Sequence, residues 1–348
     1  MQNTEMNIAT VGTNDWFKIA AACLAADQPM MTWGPAGVGK SDNARQLAEM
    51  HGFDGLIDLR LSITDPSDLK GVPVPVKGES GTVMVNWARD ARLPTDPDAK
   101  YIILFDEITS PSPIIQAMAY QFVLDRALGD YVLPKGCRIL AAGNRKADRG
   151  VTNTMPGPLR NRFYHVELKP EVDAWAAWAT KNDIMPELVA FIRFKPDQLH
   201  DFDADMTAFP TPRSLAMLSG LLKQNPGSDI ETAVIEGCCG RGFAIEFAGF
   251  LRMWRSLPDL KKVETSPMDV DVPTDPSVLY AITTSLARMA KADTLDNIAK
   301  YMLRLGREFQ VIFTNDVQTR AKDDKKLVAS AQTYWKMNTD NQNLILGN

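Results

Sequence analysis

The sequence predicts an α/β fold: a parallel sheet sandwiched by helices, then an all-α lid and a helical C-terminal extension. Three observations predict it. Continuous apolar runs such as Tyr101-Ile-Ile-Leu-Phe105 and Arg138-Ile-Leu-Ala-Ala142 alternate with helical segments, as buried parallel strands do. A glycine-rich stretch, Gly34 to Ser41, joins an apolar run to a helix. From about Pro170 onward the pattern is helical throughout. A chain of 348 residues suits two or three domains and can bury a real core. The expected divisions are a nucleotide-binding core over 1–170, a lid over 171–258 and an extension over 259–348.

The elements follow in order. Asp15 to Ala26 has helical spacing and precedes the short strand Gln28 to Trp33. The helix Asp42 to Met50 follows the glycine-rich loop. Gly55 to Leu61 alternates as a strand does. Val72-Pro-Val-Pro-Val76 and Thr82 to Trp87 flank a Gly78–Gly81 turn and read as a hairpin. Its prolines keep it out of a central sheet, so it is expected to project. Tyr101 to Phe105 is a buried strand, and a helix opens at Ser112-Pro113 and runs to Phe122. Ala127 to Pro134 reads as a small hairpin; Arg138 to Ala142 and Phe163 to Leu168 complete the sheet. Helices are then expected at Val172–Ala179, Pro186–Ile192, Arg213–Leu222 and, as a pair broken near Gly237–Gly242, over Ile230–Leu257. Leu260 to Pro276 is polar and Pro-bearing and reads as a linker. Ser277 to Thr319 is expected to form two helices, and Leu327 to Trp335 a last one. The aromatics of Phe243 to Trp254 recur at near-helical spacing, which marks core packing.

Bulk properties exclude several classes. Hydrophobic residues make up 45% and charged residues 23%, ordinary values for a globular protein. Net charge is −5, which gives no broad electrostatic grip on nucleic acid. No stretch is long and apolar enough to span a bilayer, and no signal-peptide pattern opens the chain. A cytoplasmic location is expected. Cys23, Cys137, Cys238 and Cys239 show no metal spacing and are expected as buried reduced thiols. His51, His165 and His200 are scattered and are expected at the surface or in packing.

Gly34-Pro35-Ala36-Gly37-Val38-Gly39-Lys40-Ser41 fits G-x-x-x-x-G-K-[ST], the phosphate-cradling P-loop. The fold expected is therefore that of a P-loop NTPase. Its glycines let backbone N–H groups point into one concavity, Lys40 reaches the β- and γ-phosphates, and Ser41 holds Mg²⁺. The loop, Ser41 and the adjoining Asp42 are the expected ATP contacts. Asp106-Glu107 closes an apolar strand, as Walker B acids do. Asp106 is the expected Mg²⁺ ligand and Glu107 the group that polarises the attacking water. Asn144 follows another core strand, where a polar side chain can orient that water. Arg160 and Arg162, in Leu159-Arg-Asn-Arg-Phe163, are candidate arginine fingers. Arg213 follows Thr211-Pro212 and opens a helix, where it can report the nucleotide to the lid.

The set GPAGVGKS, ILFDEIT, Asn144, LRNRF and TPRSL resembles the AAA+ ATPases in content and order. DPSDLKG to NWARDARLP resembles a helix-2 insert, and LDRALGDYVLPKG a pre-sensor-1 hairpin; together they resemble the MoxR branch. The resemblance covers roughly residues 1–225. It implies that Arg162 is the better finger candidate and Arg160 the second. The family's acidic residue before that arginine is Asn161 here. It also implies a homo-oligomer, commonly a hexameric ring with ATP between subunits. A protein client is implied, and often a partner with a von Willebrand factor A domain. The expected function is an ATP-driven remodeller of protein complexes. A nucleic-acid motor or loader is the alternative, with Lys70, Lys77, Arg89 and Arg92 near the first hairpin as pore-lining candidates. A slowly hydrolysing scaffold is a third reading, disfavoured by the presence of both Asp106 and Glu107.

Overall fold

The computed structural model describes residues 7–77, 82–145, 155–203, 205–255, 257 and 260–341. The expected Gly78–Gly81 turn lies outside them. The chain divides into two compact units, residues 1–169 and 170–348. The segments expected as lid and extension both lie in the second.

In chain order the first unit holds β1 (Thr10–Val11), α1 (Thr13–Ala25), β2 (Met30–Trp33), α2 (Lys40–Met50) and β3 (Gly55–Arg60). Next come α3 (Pro66–Lys70), β4 (Val72–Lys77), β5 (Val83–Ala88), β6 (Tyr101–Asp106) and α4 (Pro113–Asp125). It closes with β7 (Ala127–Leu128), β8 (Tyr131–Val132), β9 (Arg138–Gly143), α5 (Gly157–Arg160) and β10 (Tyr164–Leu168). The main sheet has six strands in the order β1-β10-β2-β9-β6-β3, all parallel. Five of them are strands the sequence predicts; β1, two residues long, is not.

Successive side chains of a strand face opposite ways, and the sheet's two apolar layers follow that alternation. Ile103, Phe105, Ile139 and Ala141 join α4's Ile115, Ala119 and Phe122 in one core. Ile102, Leu104, Leu140 and Ala142 join Trp16 and Ala20 of α1 and Ala44 and Leu47 of α2 in the other. Phe105 and Phe122 meet edge to face at 5.6 Å. Burying each ring contributes about 1.5–3 kcal/mol, so the helices are clamped onto both faces.

Two hairpins stand apart from this sheet. β4 and β5 pair antiparallel, Val72 opposite Ala88 and Lys77 opposite Val83. Val72, Val74, Val76, Val83, Met84 and Val85 are all exposed, so the ribbon projects as expected. β7 and β8 form the smaller hairpin.

The second unit is helical: α6 (Val172–Lys181), α7 (Pro186–Phe194), α8 (Pro212–Leu222), α9 (Glu231–Cys239) and α10 (Arg241–Arg255). They are followed by α11 (Lys261–Thr265), α12 (Pro276–Met289), α13 (Leu295–Met302), α14 (Arg307–Ala321) and α15 (Gln332–Asp340). Phe191 lies 5.3, 5.1 and 5.4 Å from Phe243, Phe247 and Phe250, so the aromatic stripe is core. Three expectations are corrected. Residues 277–319 hold parts of three helices, because the chain breaks at 290–294 and again before the N-cap Gly306. The last helix begins at Gln332, after a short 3₁₀ turn over Lys325–Val328. The segment 260–276 is no linker. It contains α11 and the buried Leu260 and Val263. Arg304 donates to the carbonyls of Pro267 and Val270, and Tyr301 to that of Asp271. Its polar composition concealed these side-chain ties to its backbone.

Among the described residues no helix is long and apolar enough to cross a membrane. All four cysteines are buried and free. Burial pushes the Cys239 thiol up to about 12, which keeps it protonated and unreactive.

Candidate nucleotide site

Three neighbouring strands, β2, β9 and β6, deliver the expected site residues at their carboxyl ends. In open parallel sheets this is the edge where ligands bind. β2 ends at Trp33 and feeds the loop 34–39; β6 ends at Asp106; β9 ends at Gly143, before Asn144. Trp33 pairs with Gly143 in register, and Phe105 with Ala141. The three termini therefore lie nearly level.

The loop itself is shaped by its glycines. Gly37 and Gly39 take φ of +75° and +96°, a region L side chains rarely adopt. Gly34 has a different constraint: a Cβ there would lie 2.7 Å from the Leu168 carbonyl oxygen. The loop is thus pressed against β10. Gly39 caps α2, whose first residues are Lys40 and Ser41, so the loop opens onto a helix N-terminus that favours anions.

Lys40 and Ser41 are held by partners that define the site. The Lys40 ammonium donates to the carbonyls of Gly34 at 2.8 Å and Pro35 at 2.9 Å, and to Asn144 Oδ1 at 2.9 Å. Ser41 Oγ donates to Asp106 Oδ2 at 2.7 Å. Asp106 is 7% exposed. The Glu107 amide donates to Asp106 Oδ1 at 2.9 Å. Glu107, half-buried, has φ of +55°, which costs on the order of 1–3 kcal/mol for a residue with a Cβ. The Ile108 amide bonds the Ala142 carbonyl at 3.1 Å, and the Ser110 amide the Glu107 carbonyl at 2.9 Å. These ties hold the strained turn.

The donor set fits magnesium with a nucleotide. A hydroxyl and a carboxylate at bonding separation supply two hard oxygens, and Mg²⁺ takes one or two such ligands together with phosphates. Among the described residues no group of three His, Cys, Asp or Glu could hold a metal by itself. Lys40, bonded to two carbonyl oxygens and an amide oxygen, carries the charge to take a phosphate. The Asp42 carboxylate pairs with Arg45 at 2.9 Å on the outer face of α2.

Other elements carry the remaining candidates. Arg160 ends α5 and Arg162 follows in the turn to β10; both are exposed. Arg213 lies in the second unit, exposed, in the first turn of α8. Thr211 caps that helix, accepting from the Ser214 amide at 3.0 Å.

Sequence reading missed several neighbours of the site. Asp58 on β3 is half-buried, and its Oδ1 has no hydrogen-bond partner. Burial, and then the Asp106 charge, push its carboxyl above the usual range; Arg60 and Arg45 oppose this, while Glu107 adds to it. Arg145 pairs with Glu167 at 2.9 Å, which anchors the residue after Asn144. His165 lies between Trp33 and Arg160, accepting from the first and donating to the second. An alternating strand motif hints at Asp58 as a charge on an inward face. Nothing in the sequence hints at the Trp33–His165 contact, because it depends on strand register.

No family model matches the chain, and no curated protein matches it. Solved structures show weak similarity. Thermotoga maritima RuvB, a Holliday junction branch migration motor, is 16% identical over 84% of this chain and 86% of its own, with a TM-score of 0.37. NtrX from Brucella abortus in complex with ATP is 12% identical over 99% of this chain and 69% of its own, TM-score 0.41. Hsp104 in its closed state with ATPγS and FITC casein is 16% identical over 72% and 46%, TM-score 0.37. The fold is that of a P-loop NTPase, and the chain's own strand order and loop geometry carry it.

Proposed function

We propose that this protein is a Mg²⁺-dependent ATPase of the AAA+ class, of MoxR type. In this reading it assembles as a ring, commonly a hexamer, and remodels a partner protein or protein complex. The observation that carries the ATPase reading is a double contact at the start of α2, where Lys40 bonds Asn144 and the adjoining Ser41 bonds Asp106. Residues distant in sequence meet at the carboxyl ends of neighbouring strands, which supports a role in phosphoryl transfer.

The roles follow from chemistry. The loop amides and Lys40 would bind and orient the phosphates. Ser41 and Asp106 would hold Mg²⁺, which when bound neutralises charge on the phosphate oxygens. Glu107 would take the proton of the attacking water, and Asn144 would orient that water. Glu107 sits where glycine would be conformationally easier, which supports a role for its carboxylate. Arg162, and second Arg160, would reach a neighbouring subunit's nucleotide, with Arg213 as the reporter in the second unit.

The exposed apolar ribbon of Val72, Val74, Val76, Val83, Met84 and Val85 supports a protein client over nucleic acid. Lys70 is engaged with the Trp87 ring, 4.6 Å from its centroid. A partner with a von Willebrand factor A domain is part of the same proposal. Glu107→Gln protein with ATP, recovered by pull-down from native lysate, tests the reading. Enrichment of a protein, lost when Lys40→Ala is added, is the expected result. Enrichment of nucleic acid, or DNA-stimulated turnover abolished by Lys70→Glu and Lys77→Glu, would replace it with a nucleic-acid motor.

A further inference from the structure

We infer that His165 is a positioning residue for the finger arginines, acting as a strut between the strand that feeds the nucleotide loop and the turn bearing Arg160 and Arg162. The inference rests on the proposed trans arginine finger.

The geometry is continuous. Trp33 is the last residue of β2 and precedes the loop. Its indole N–H donates to His165 Nδ1 at 3.0 Å. His165 Nε2 donates to the Arg160 carbonyl at 2.7 Å. An indole N–H only donates and a carbonyl only accepts, so one imidazole form satisfies both: neutral, with hydrogen on Nε2. The other neutral tautomer would face donor with donor at one end and acceptor with acceptor at the other. Trp33 thereby fixes the tautomer that grips Arg160.

Packing fixes the ring as well. The Trp33 and His165 rings lie nearly parallel, 22° apart with centroids at 6.1 Å, and Phe163 meets the imidazole edge-on at 6.3 Å. A second tie supports the same turn. Gln28 Nε2, just before β2, donates to the Arg162 carbonyl at 3.0 Å. Both finger residues are therefore held by their backbone carbonyls while their guanidinium groups face outward. An exposed arginine on a four-residue helix has no rigidity of its own. A finger must meet its phosphate within a fraction of an ångström, and a misplacement of about 1 Å costs on the order of 10²-fold in rate.

Mixed assemblies test this, because they separate the subunit that gives a finger from the one that hydrolyses. Lys40→Ala chains cannot bind phosphate but can lend fingers. Chains with both Arg160→Ala and Arg162→Ala can bind ATP but lend none. Each alone should be inactive, and their mixture should regain turnover. Failure to regain it overturns the trans-finger reading itself. With that control positive, His165→Phe is placed in the Lys40→Ala chain. Phenylalanine keeps the ring packing and loses both hydrogen bonds. Restored kcat should fall by about tenfold or more, with the KM for ATP unchanged, since the hydrolysing site is intact. His165→Gln, which retains an N–H for the Arg160 carbonyl, should recover much of it. Co-assembly is checked by size-exclusion chromatography. Should the phenylalanine chain fail to assemble, His165→Leu and Trp33→Phe in the lending chain take its place. Undiminished kcat with an assembled variant would overturn the inference.

Discussion

The Lys40 ammonium and the Asn144 side-chain oxygen, 104 residues apart in the chain, stand 2.9 Å from each other. The contact ties the loop after β2 to the end of β9, its neighbour in the sheet. A phosphate arriving at Lys40 would therefore arrive beside Asn144. Replacing Lys40 by alanine should abolish ATP binding in calorimetry. Replacing Asn144 by alanine should leave the Kd within about threefold and lower kcat by roughly 10²-fold, the effect of removing one oriented polar group. Equal loss of binding in both variants would place Asn144 in ground-state binding only.

Glu107→Gln should bind ATP as the parent does and turn it over at least about 10³-fold more slowly, as expected when the residue that activates water is neutralised. The melting midpoint should hardly move, because glutamine takes the same left-handed backbone, its carbonyl still accepts from the Ser110 amide, and the neighbouring Ile108 amide keeps its bond to Ala142. Turnover by the variant at the parent rate would remove Glu107 from the mechanism.

Much of the fold was legible because parallel strands buried on both faces are continuously apolar, as Ile102 to Phe105 and Ile139 to Ala142 are. The phosphate loop was legible for a different reason: its chemistry permits few residue types at fixed spacing. β1 was invisible, since two residues carry no period. α3 and α5 were missed because five and four residues give too little pattern against the prolines that open them. Asp58, His165 and Glu167 act through cross-strand partners. Their importance depends on register, which one sequence does not display.

Asp58 gives a prediction in pH. Burial and the nearby Asp106 charge raise its carboxyl above its ordinary value of 3.8, so the native state binds its proton more tightly than the unfolded chain. Stability from that proton is full below pH 3.8 and declines as pH rises through the folded value. At neutral pH the ionised Asp58 opposes folding. Asp58→Asn should therefore raise the melting midpoint of the nucleotide-free protein at pH 7–8, and the gain should vanish as the pH approaches 3.8. A gain of the same size at pH 3.5 and pH 7.5 would show that ionisation is not its source.

The second unit has a buried ion pair whose removal should be costly. Arg193 on α7 grips Asp316 on α14 through two bonds, 2.7 and 2.5 Å, and each side chain is 6% exposed. Thr284 adds a long bond at 3.4 Å, and Arg193 Nε has no partner. Removing one member strands the other's charge in the interior, which costs about 3–5 kcal/mol. Arg193→Met should lower the melting transition of this unit by on the order of 10 °C, and Asp316→Leu by a similar amount. Their combination should recover most of the loss, because an apolar pair of similar volume replaces the ions without leaving a naked charge. ATP binding at the loop 34–41 of the first unit should be unchanged in all three. Additive losses in the double variant, measured by differential scanning calorimetry, would mean that the two side chains stabilise the helices independently and not as a pair.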